Sequence, residues 1–147
     1  MSEKKTIDDN TIAYLQMIQG NIERMSTSSA IFKGFAATIV AGIATISFQE
    51  VSSWILGMSF IPVLSFVLLD LYYLRLERSY RFLYENVRKG KSEDYFSLKL
   101  MKMSASEKKI SRTRVRDLIK SPSFYLFYPM LIVIEIVVMI MKIKAGA

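Results

Sequence analysis

Few residues of this chain have side chains that do chemistry, and three of them stand out because apolar residues surround them. The sequence contains no histidine and no cysteine, so the commonest general base, the commonest transition-metal ligand and the thiolate nucleophile are missing. Charged side chains occur at the edges of apolar runs, at Lys33 and Asp70, and inside one, at Glu135. A carboxyl in such surroundings faces other helices or water and indicates a functional site.

Several roles are open for Glu135. It is expected to line a pore, to carry a proton or to pair with Lys33; the alternative is a structural carboxyl, neutral or hydrogen-bonded between subunits. The stem of Lys33 is long enough to extend to lipid headgroups. Asp70 is expected only to mark the point where its helix leaves the apolar layer.

A second set of residues combines arginine with tyrosine. Its members are Arg75, Arg78, Tyr80, Arg81 and Tyr84. Guanidinium groups bind phosphate through paired hydrogen bonds, and aromatic rings stack on bases, so the set predicts a site for an anionic ligand such as a nucleotide second messenger. The alternative is topological, because residues 70–120 contain fourteen basic and seven acidic residues, a surplus typical of a cytoplasmic loop beside anionic lipid.

Other chemistry finds no support in the sequence. The six glycines form no phosphate-binding loop, and without His or Cys no metal-ligand spacing and no nucleophile–base pair can be assembled. We therefore expect no enzyme activity, no cofactor, no bound metal and no nucleic-acid partner.

The elements that carry these residues follow from the segregation of charge along the 147-residue chain, which is 52% hydrophobic and 22% charged. Three apolar runs, at residues 31–48, 51–74 and 122–141, have the length of about 20 residues that a helix needs to cross a bilayer. We therefore expect an all-α integral membrane protein with three transmembrane helices. Buried helices of a soluble protein are the alternative, and the polar surface is too small to cover three of them.

Prolines and a cap refine these helices. Pro62 in the second run and Pro129 in the third each remove a backbone donor, and each predicts a kink. Ser121 followed by Pro122 predicts the start of the third helix.

The distribution of Lys and Arg predicts the orientation. Four lie in residues 1–33, none in the turn at residues 49–53, fourteen in residues 70–120 and two in the tail, at Lys142 and Lys144. The N-terminus and the basic stretch are therefore expected in the cytoplasm of a bacterium, in a multi-pass protein of the inner membrane. The tail is then outside, although its two lysines favour the opposite side.

The first two spans are expected to continue into the cytoplasm as a helical hairpin, within a single membrane domain. Residues 10–48 are predicted to form one helix capped by Asp9 or Asn10, and residues 51–88 a second that stops at Gly90. One face of the first helix carries Tyr14, Ile18, Ile22 and Met25.

The basic cytoplasmic segment at residues 91–120 links this hairpin to the third span. Ser104 and Glu107 have capping-box spacing, so a helix is expected from there to about Ile119.

Small side chains recur every four residues along the first span. They are Ser26, Ala30, Gly34, Thr38 and Gly42. Such a stripe allows helix backbones to approach closely in lipid, either within the chain, against the second span, or between subunits. A second small set, Ala37, Ala41 and Thr45, is available for the other role.

Two segments carry a resemblance to known proteins. The stretches YLQMIQGNIERM at residues 14–25 and DLYYLRLER at residues 70–78 resemble a widespread group of small, uncharacterised bacterial multi-span membrane proteins. More distantly, the layout is similar to the two-transmembrane (SLATT-like) effectors of nucleotide-signalling anti-phage systems. The resemblance implies a homo-oligomer that disrupts the membrane when a nucleotide messenger or a sensor protein triggers it. The third predicted span departs from that layout.

Three hypotheses for function follow. The first is an oligomeric inner-membrane effector that permeabilises the membrane when triggered through its cytoplasmic part, in anti-phage defence. The second is a small channel or proton-coupled transporter that uses Glu135. The third is a holin-like pore former.

Overall fold

A computed structural model describes residues 8–47, 49, 53–58, 60–90, 98 and 105–145, and every regular element in these ranges is a helix. The elements are α1 Asp9–Ser47, α2 Ser53–Met58, α3 Phe60–Arg88, α4 Ala105–Ile110, α5 Val115–Ile119 and α6 Pro122–Ala145. The all-α class is therefore confirmed for the described part of the chain.

The predicted hairpin is formed by α1 and α3, which pack along each other. At 39 residues, α1 is about 58 Å long, roughly twice the thickness of a bilayer core. Its first turn begins one residue earlier than expected: the carbonyl of Asp8 accepts a hydrogen bond from the amide of Ile12 at 3.1 Å. The residue ahead of the helix is thus Asp8, and the prediction of Asp9 or Asn10 as the cap is wrong.

The end of α3 agrees with the sequence. The helix stops at Arg88, and Gly90 has φ 68°, the left-handed conformation that glycine adopts without a steric penalty. The start of α3 differs from the prediction of one span kinked at Pro62, because α2 ends at Met58 and α3 begins at Phe60. Pro62 consequently lies in the first turn of α3, where a missing amide hydrogen leaves no helical bond unmade.

The third long helix, α6, begins at Pro122 as predicted, with the carbonyl of Ser121 accepting hydrogen bonds from its first turn. It continues through Pro129 to Ala145. Near its end, Lys142 Nζ donates to the backbone carbonyl of Gln49. The end of α6 therefore lies beside the turn that follows α1.

The single helix predicted over residues 104–119 is wrong, because two short helices occupy the described part of this range. Hydrogen bonds from Thr113 N to Lys108 O (3.1 Å) and from Arg112 N to Lys109 O (3.3 Å) end α4. Arg112 has φ 52°, as the left-handed residue of this helix-ending motif. Ser104 lies outside the described residues.

Two clusters of buried residues lie at different heights of the hairpin. In the stalk, which we define as residues 9–25 and 75–90, Tyr14, Ile18 and Val87 are buried together. In the apolar half, which we define as residues 30–47, α2, residues 60–74 and α6, the buried residues are Ala36, Val40, Val63, Phe124, Tyr128 and Leu131. All three long helices meet in the second cluster.

Two parts of the described chain are long and apolar enough to cross a membrane, namely α1 and the stretch Ser106–Lys144, which contains nearly all of α6. The apolar residues of the second predicted span are divided between α2 and the first half of α3. The outer surface of the apolar half carries large hydrophobic side chains, among them Phe35, Ile61, Leu64, Leu68, Leu126, Met130 and Val133.

Candidate functional site: a buried polar cluster between three helices

A buried cluster of polar side chains lies where the stalk meets the apolar half. Asp70 on α3 is fully buried. Lys33 Nζ lies 2.7 Å from Asp70 Oδ2, as an ion pair, and Ser29 Oγ donates a hydrogen bond to Asp70 Oδ1. The ammonium group of Lys33 also donates to Ser29 Oγ at 2.8 Å. Ser29 and Lys33 are one turn apart on α1, so both reach the same face of α3.

The third helix contributes Tyr128. This residue is buried, and its hydroxyl donates to the backbone carbonyl of Phe66 at 3.4 Å. The same hydroxyl lies close enough to the Asp70 side chain to interact with it electrostatically. The cluster, defined as Ser29, Lys33, Asp70 and Tyr128, therefore joins α1, α3 and α6.

The cluster neutralises two charges in a place where neither is tolerated alone. A buried ion pair is only weakly stabilising overall, but removal of one partner leaves an uncompensated charge at a cost of about 3–5 kcal/mol. The arrangement fixes the rotation of the three helices, because each hydrogen bond requires one side chain to point at one partner. A carboxylate, an ammonium group and the two hydroxyls beside them are also groups that hold or pass a proton.

The structure changes the sequence interpretation of Lys33 and Asp70. Lys33 was a possible partner of Glu135 and a candidate for extension to the headgroups, and its ammonium group instead pairs with Asp70. Asp70 does more than mark a helix exit, since it accepts a hydrogen bond from Ser29 and forms an ion pair with Lys33, both on α1. Sequence reasoning missed Ser29 and Tyr128. In the sequence, Ser29 could have been found from its spacing of four residues to Lys33, and Tyr128 from its position two helical turns before Glu135.

Glu135 faces the inside of the helix bundle. Only 4% of its surface is exposed, and it continues the face of α6 on which Phe124, Tyr128 and Leu131 are buried, at spacings of three and four residues. Such spacing places these residues on one side of a helix. This position agrees with the expectation that the carboxyl of Glu135 faces other helices.

The five residues of the predicted anion site are not brought together. The guanidinium group of Arg78 donates to the backbone carbonyls of Arg112 (2.7 Å) and Asp117 (3.1 Å). Burial lowers the pKa of Arg78, and the nearby carboxylate of Asp117 acts in the opposite direction. Arg78 thus fastens the segment before α6 to α3.

The remaining members of that set have other surroundings. Arg81 Nε donates to Glu77 Oε1 at 2.8 Å, whereas Arg75 is exposed. Tyr80 and Tyr84 pack against the buried cluster of the stalk. Both rings are half-buried, and this packing uses part of the surface that would stack on a base.

An open groove of about 890 Å³ runs between the two helices of the stalk. Arg81 and Tyr84 line it from α3, together with Glu85, and Glu23 lines it from α1. Two carboxylates against one guanidinium group do not favour a phosphate ligand.

The five-residue small stripe of α1 is exposed along its whole length, and nothing in the described chain lies where a side chain would project from Gly34 or Gly42. The possibility that this stripe packs against the second span of the same chain is therefore wrong. Of the second set, Ala37 packs against the core of the apolar half, while Ala41 and Thr45 are exposed. The face of α1 that contacts α3 instead carries Ser29, Ala36 and Val40.

Comparisons of the chain with known protein families, with curated proteins and with solved structures find no match.

Proposed function

We propose that this chain is a three-span protein of the bacterial inner membrane that self-associates through the exposed small-residue stripe of α1 and permeabilises the membrane when triggered through its cytoplasmic part. The stripe carries the proposal. It runs along the apolar half, it is exposed, and no helix of the same chain covers it in the described residues. In lipid, close backbone approach between small residues is what replaces the missing hydrophobic drive between helices.

The polar groups on the outside of the apolar half suit a lipid environment. The hydroxyls of Thr38, Thr45 and Ser65 donate to the carbonyls of Gly34, Ala41 and Ile61, one turn earlier, at 2.9–3.0 Å. Hydroxyl groups satisfied in this way need no partner from their surroundings, as a hydrocarbon layer requires.

The path of the chain supports three crossings. The contact of Lys142 with Gln49 puts the end of α6 level with the α1–α2 turn. The contacts of Arg78 with Arg112 and Asp117 put the start of α6 near the stalk. Lys142 is one of the two lysines whose charge disagrees with an outside tail, and its hydrogen bond to a backbone carbonyl supplies a local reason for a lysine at that end.

Controlled overexpression tests the proposal, since mass action raises the oligomer population even without the natural trigger. We expect strong induction to collapse the membrane potential, read with a potential-sensitive dye, and to yield cross-linked dimers or larger species in isolated membranes. Gly34→Leu combined with Gly42→Leu should abolish both effects, because the added side chains prevent close approach.

The matched control is Ser65→Leu, which adds comparable bulk at an exposed position of the apolar half on α3. It should depolarise the membrane as the unmodified chain does. Normal potential and growth at high expression of the unmodified chain would contradict the effector function, and equal effects of the stripe variant and the control would contradict the interface.

The buried position of Glu135 favours a second candidate function, proton-coupled transport or a channel. A carboxyl that faces the bundle is suited to bind and release a proton. Glu135→Gln in reconstituted vesicles tests it: the variant should abolish proton flux, and unchanged flux would rule out that role.

A further inference from the structure

The segment that links the stalk to α6 exposes apolar side chains where a soluble surface would hide them. Ile110, Val115 and Ile119 are 72%, 56% and 44% exposed. Exposed cations alternate with them, at Lys109, Arg112, Arg116 and Lys120. An amphipathic surface of this kind is typical of segments that lie in a membrane interface.

The structure also fixes which side of the segment faces outward. Thr113 and Leu118 are buried, and the Arg78 guanidinium group fastens the carbonyls of Arg112 and Asp117 to α3. With that side attached to α3, Val115 and Ile119, one turn apart on α5, remain on the outside.

The position of the segment relative to the bilayer surface follows from its direct connection to α6. Only Ser121 separates Lys120 from Pro122, the first residue of the apolar helix. A segment directly joined to a membrane-crossing helix lies within a few residues of the bilayer surface, where lysine and arginine side chains reach lipid phosphates.

We infer that residues 106–120 bind the anionic surface of the membrane. Ile110, Val115 and Ile119 are inserted at the boundary of headgroups and acyl chains, and exposed cations, among them the four named above, lie on lipid phosphates. The inference rests on the proposed membrane insertion of α6. It assigns the basic surplus of this part of the chain to a lipid surface and not to a soluble ligand.

Repulsion between like charges argues against a second copy of the chain as the partner that covers this surface. A symmetric contact between two copies would bring the same cations face to face, whereas anionic headgroups complement them and the layer beneath accepts the three apolar side chains.

Tryptophan scanning with brominated lipids tests the inference in the full chain. Trp54 is the only tryptophan, so a Trp54→Phe background allows one reporter at a time. We expect the emission of the Ile119→Trp variant, reconstituted in vesicles containing phosphatidylglycerol, to be strongly quenched by brominated lipid and protected from aqueous iodide.

Two further positions calibrate the result. Val133→Trp, at an exposed site of α6, reports insertion of that helix, and Ile12→Trp, at an exposed site of the stalk, reports a position in water. Absence of quenching at position 133 would mean that the proposed insertion itself fails. Quenching at position 133 with none at position 119 would overturn the surface inference alone.

Lipid composition separates the remaining outcomes. Quenching at position 119 should fall when phosphatidylglycerol is replaced by phosphatidylcholine, and equal quenching in both would overturn the assignment to anionic lipid. An unquenched reporter that becomes accessible to iodide only when the protein is diluted in lipid would overturn the inference in favour of self-association.

Discussion

The stalk and the apolar half share the helices α1 and α3 and both have an apolar core, yet their outer surfaces and the places of their charges differ. In the stalk the core is built around Tyr14, Ile18 and Val87, and the charged pair formed by Glu85 and Arg88 lies on the surface. The one buried carboxylate of the described stalk, Glu77, pairs with the exposed guanidinium group of Arg81. In the apolar half the outside is aliphatic and aromatic, while the charged pair of Lys33 and Asp70 is inside.

This contrast is what the proposed membrane insertion requires of one continuous α1 that passes from water into hydrocarbon. A polar group in hydrocarbon must find its partner within the protein. The charged pair of the apolar half accordingly lies between helices, and outer hydroxyls such as that of Thr38 donate to their own helix. In water the outer surface is polar, and burial of apolar side chains stabilises the stalk. The cluster of Ser29, Lys33, Asp70 and Tyr128 lies where the two patterns meet, and variants on either side of it test the comparison.

The largest effect is expected from the buried ion pair. Lys33→Leu leaves Asp70 buried with an uncompensated charge and should destabilise the fold by about 3–5 kcal/mol. Lys33→Leu combined with Asp70→Asn removes both charges and should regain most of that loss. Unfolding in a mixed-micelle titration measures both, and Lys109→Leu, which removes an exposed cation, is the control with little effect. Equal stability of the single and double variants would contradict the pairing.

In the stalk, the interior should respond to loss of apolar volume. Ile18→Ala creates a cavity at a fully buried position and should cost roughly 2–5 kcal/mol, detected as faster amide exchange in residues 9–25. Ile12→Ala removes the same atoms at an exposed position and should change stability by less than about 0.5 kcal/mol. Slow exchange retained in the Ile18 variant would show that the stalk does not depend on this cluster.

A smaller, stabilising change is expected at Arg112. Its φ of 52° costs a residue with a Cβ about 1–2 kcal/mol, and Arg112→Gly should recover roughly 0.4–1 kcal/mol net of the greater chain entropy of glycine. The backbone carbonyl that Arg78 contacts remains. Slower exchange across α4 and α5 would confirm this, whereas Arg116→Gly, inside α5, should have the opposite effect.

The smallest effect concerns pH at the stalk surface. The hydrogen bond from Arg88 holds the pKa of Glu85 below its ordinary value of 4.5, so this carboxylate contributes stability above that pH. The contribution is lost as pH falls through the lowered pKa of the folded state. Glu85→Gln should therefore flatten the acid side of the stability profile below about pH 4.5, as followed by circular dichroism. An unchanged profile would show that the surface pair contributes nothing measurable.

Local features of the chain were predictable because they depend on neighbours in sequence. The continuity of α1, the extension of α3 to Arg88 and the left-handed Gly90 agree with expectation. The face of Tyr14, Ile18 and Ile22 was also recognisable, because apolar residues at helical spacing beside charged ones define a direction. The break between α4 and α5 was not, since capping-box spacing does not reveal that Arg112 would adopt a left-handed conformation.

The sequence by itself determined helices, their approximate ends and the division of the chain into an apolar half and a charged part. Only the tertiary structure decided that Lys33 pairs with Asp70, that Tyr128 joins them and that the small stripe is exposed. The physical reason is rotation. Where a helix is apolar on all sides, as α6 nearly is, no periodic contrast specifies which face turns inward, and the few polar side chains choose it only when three helices meet.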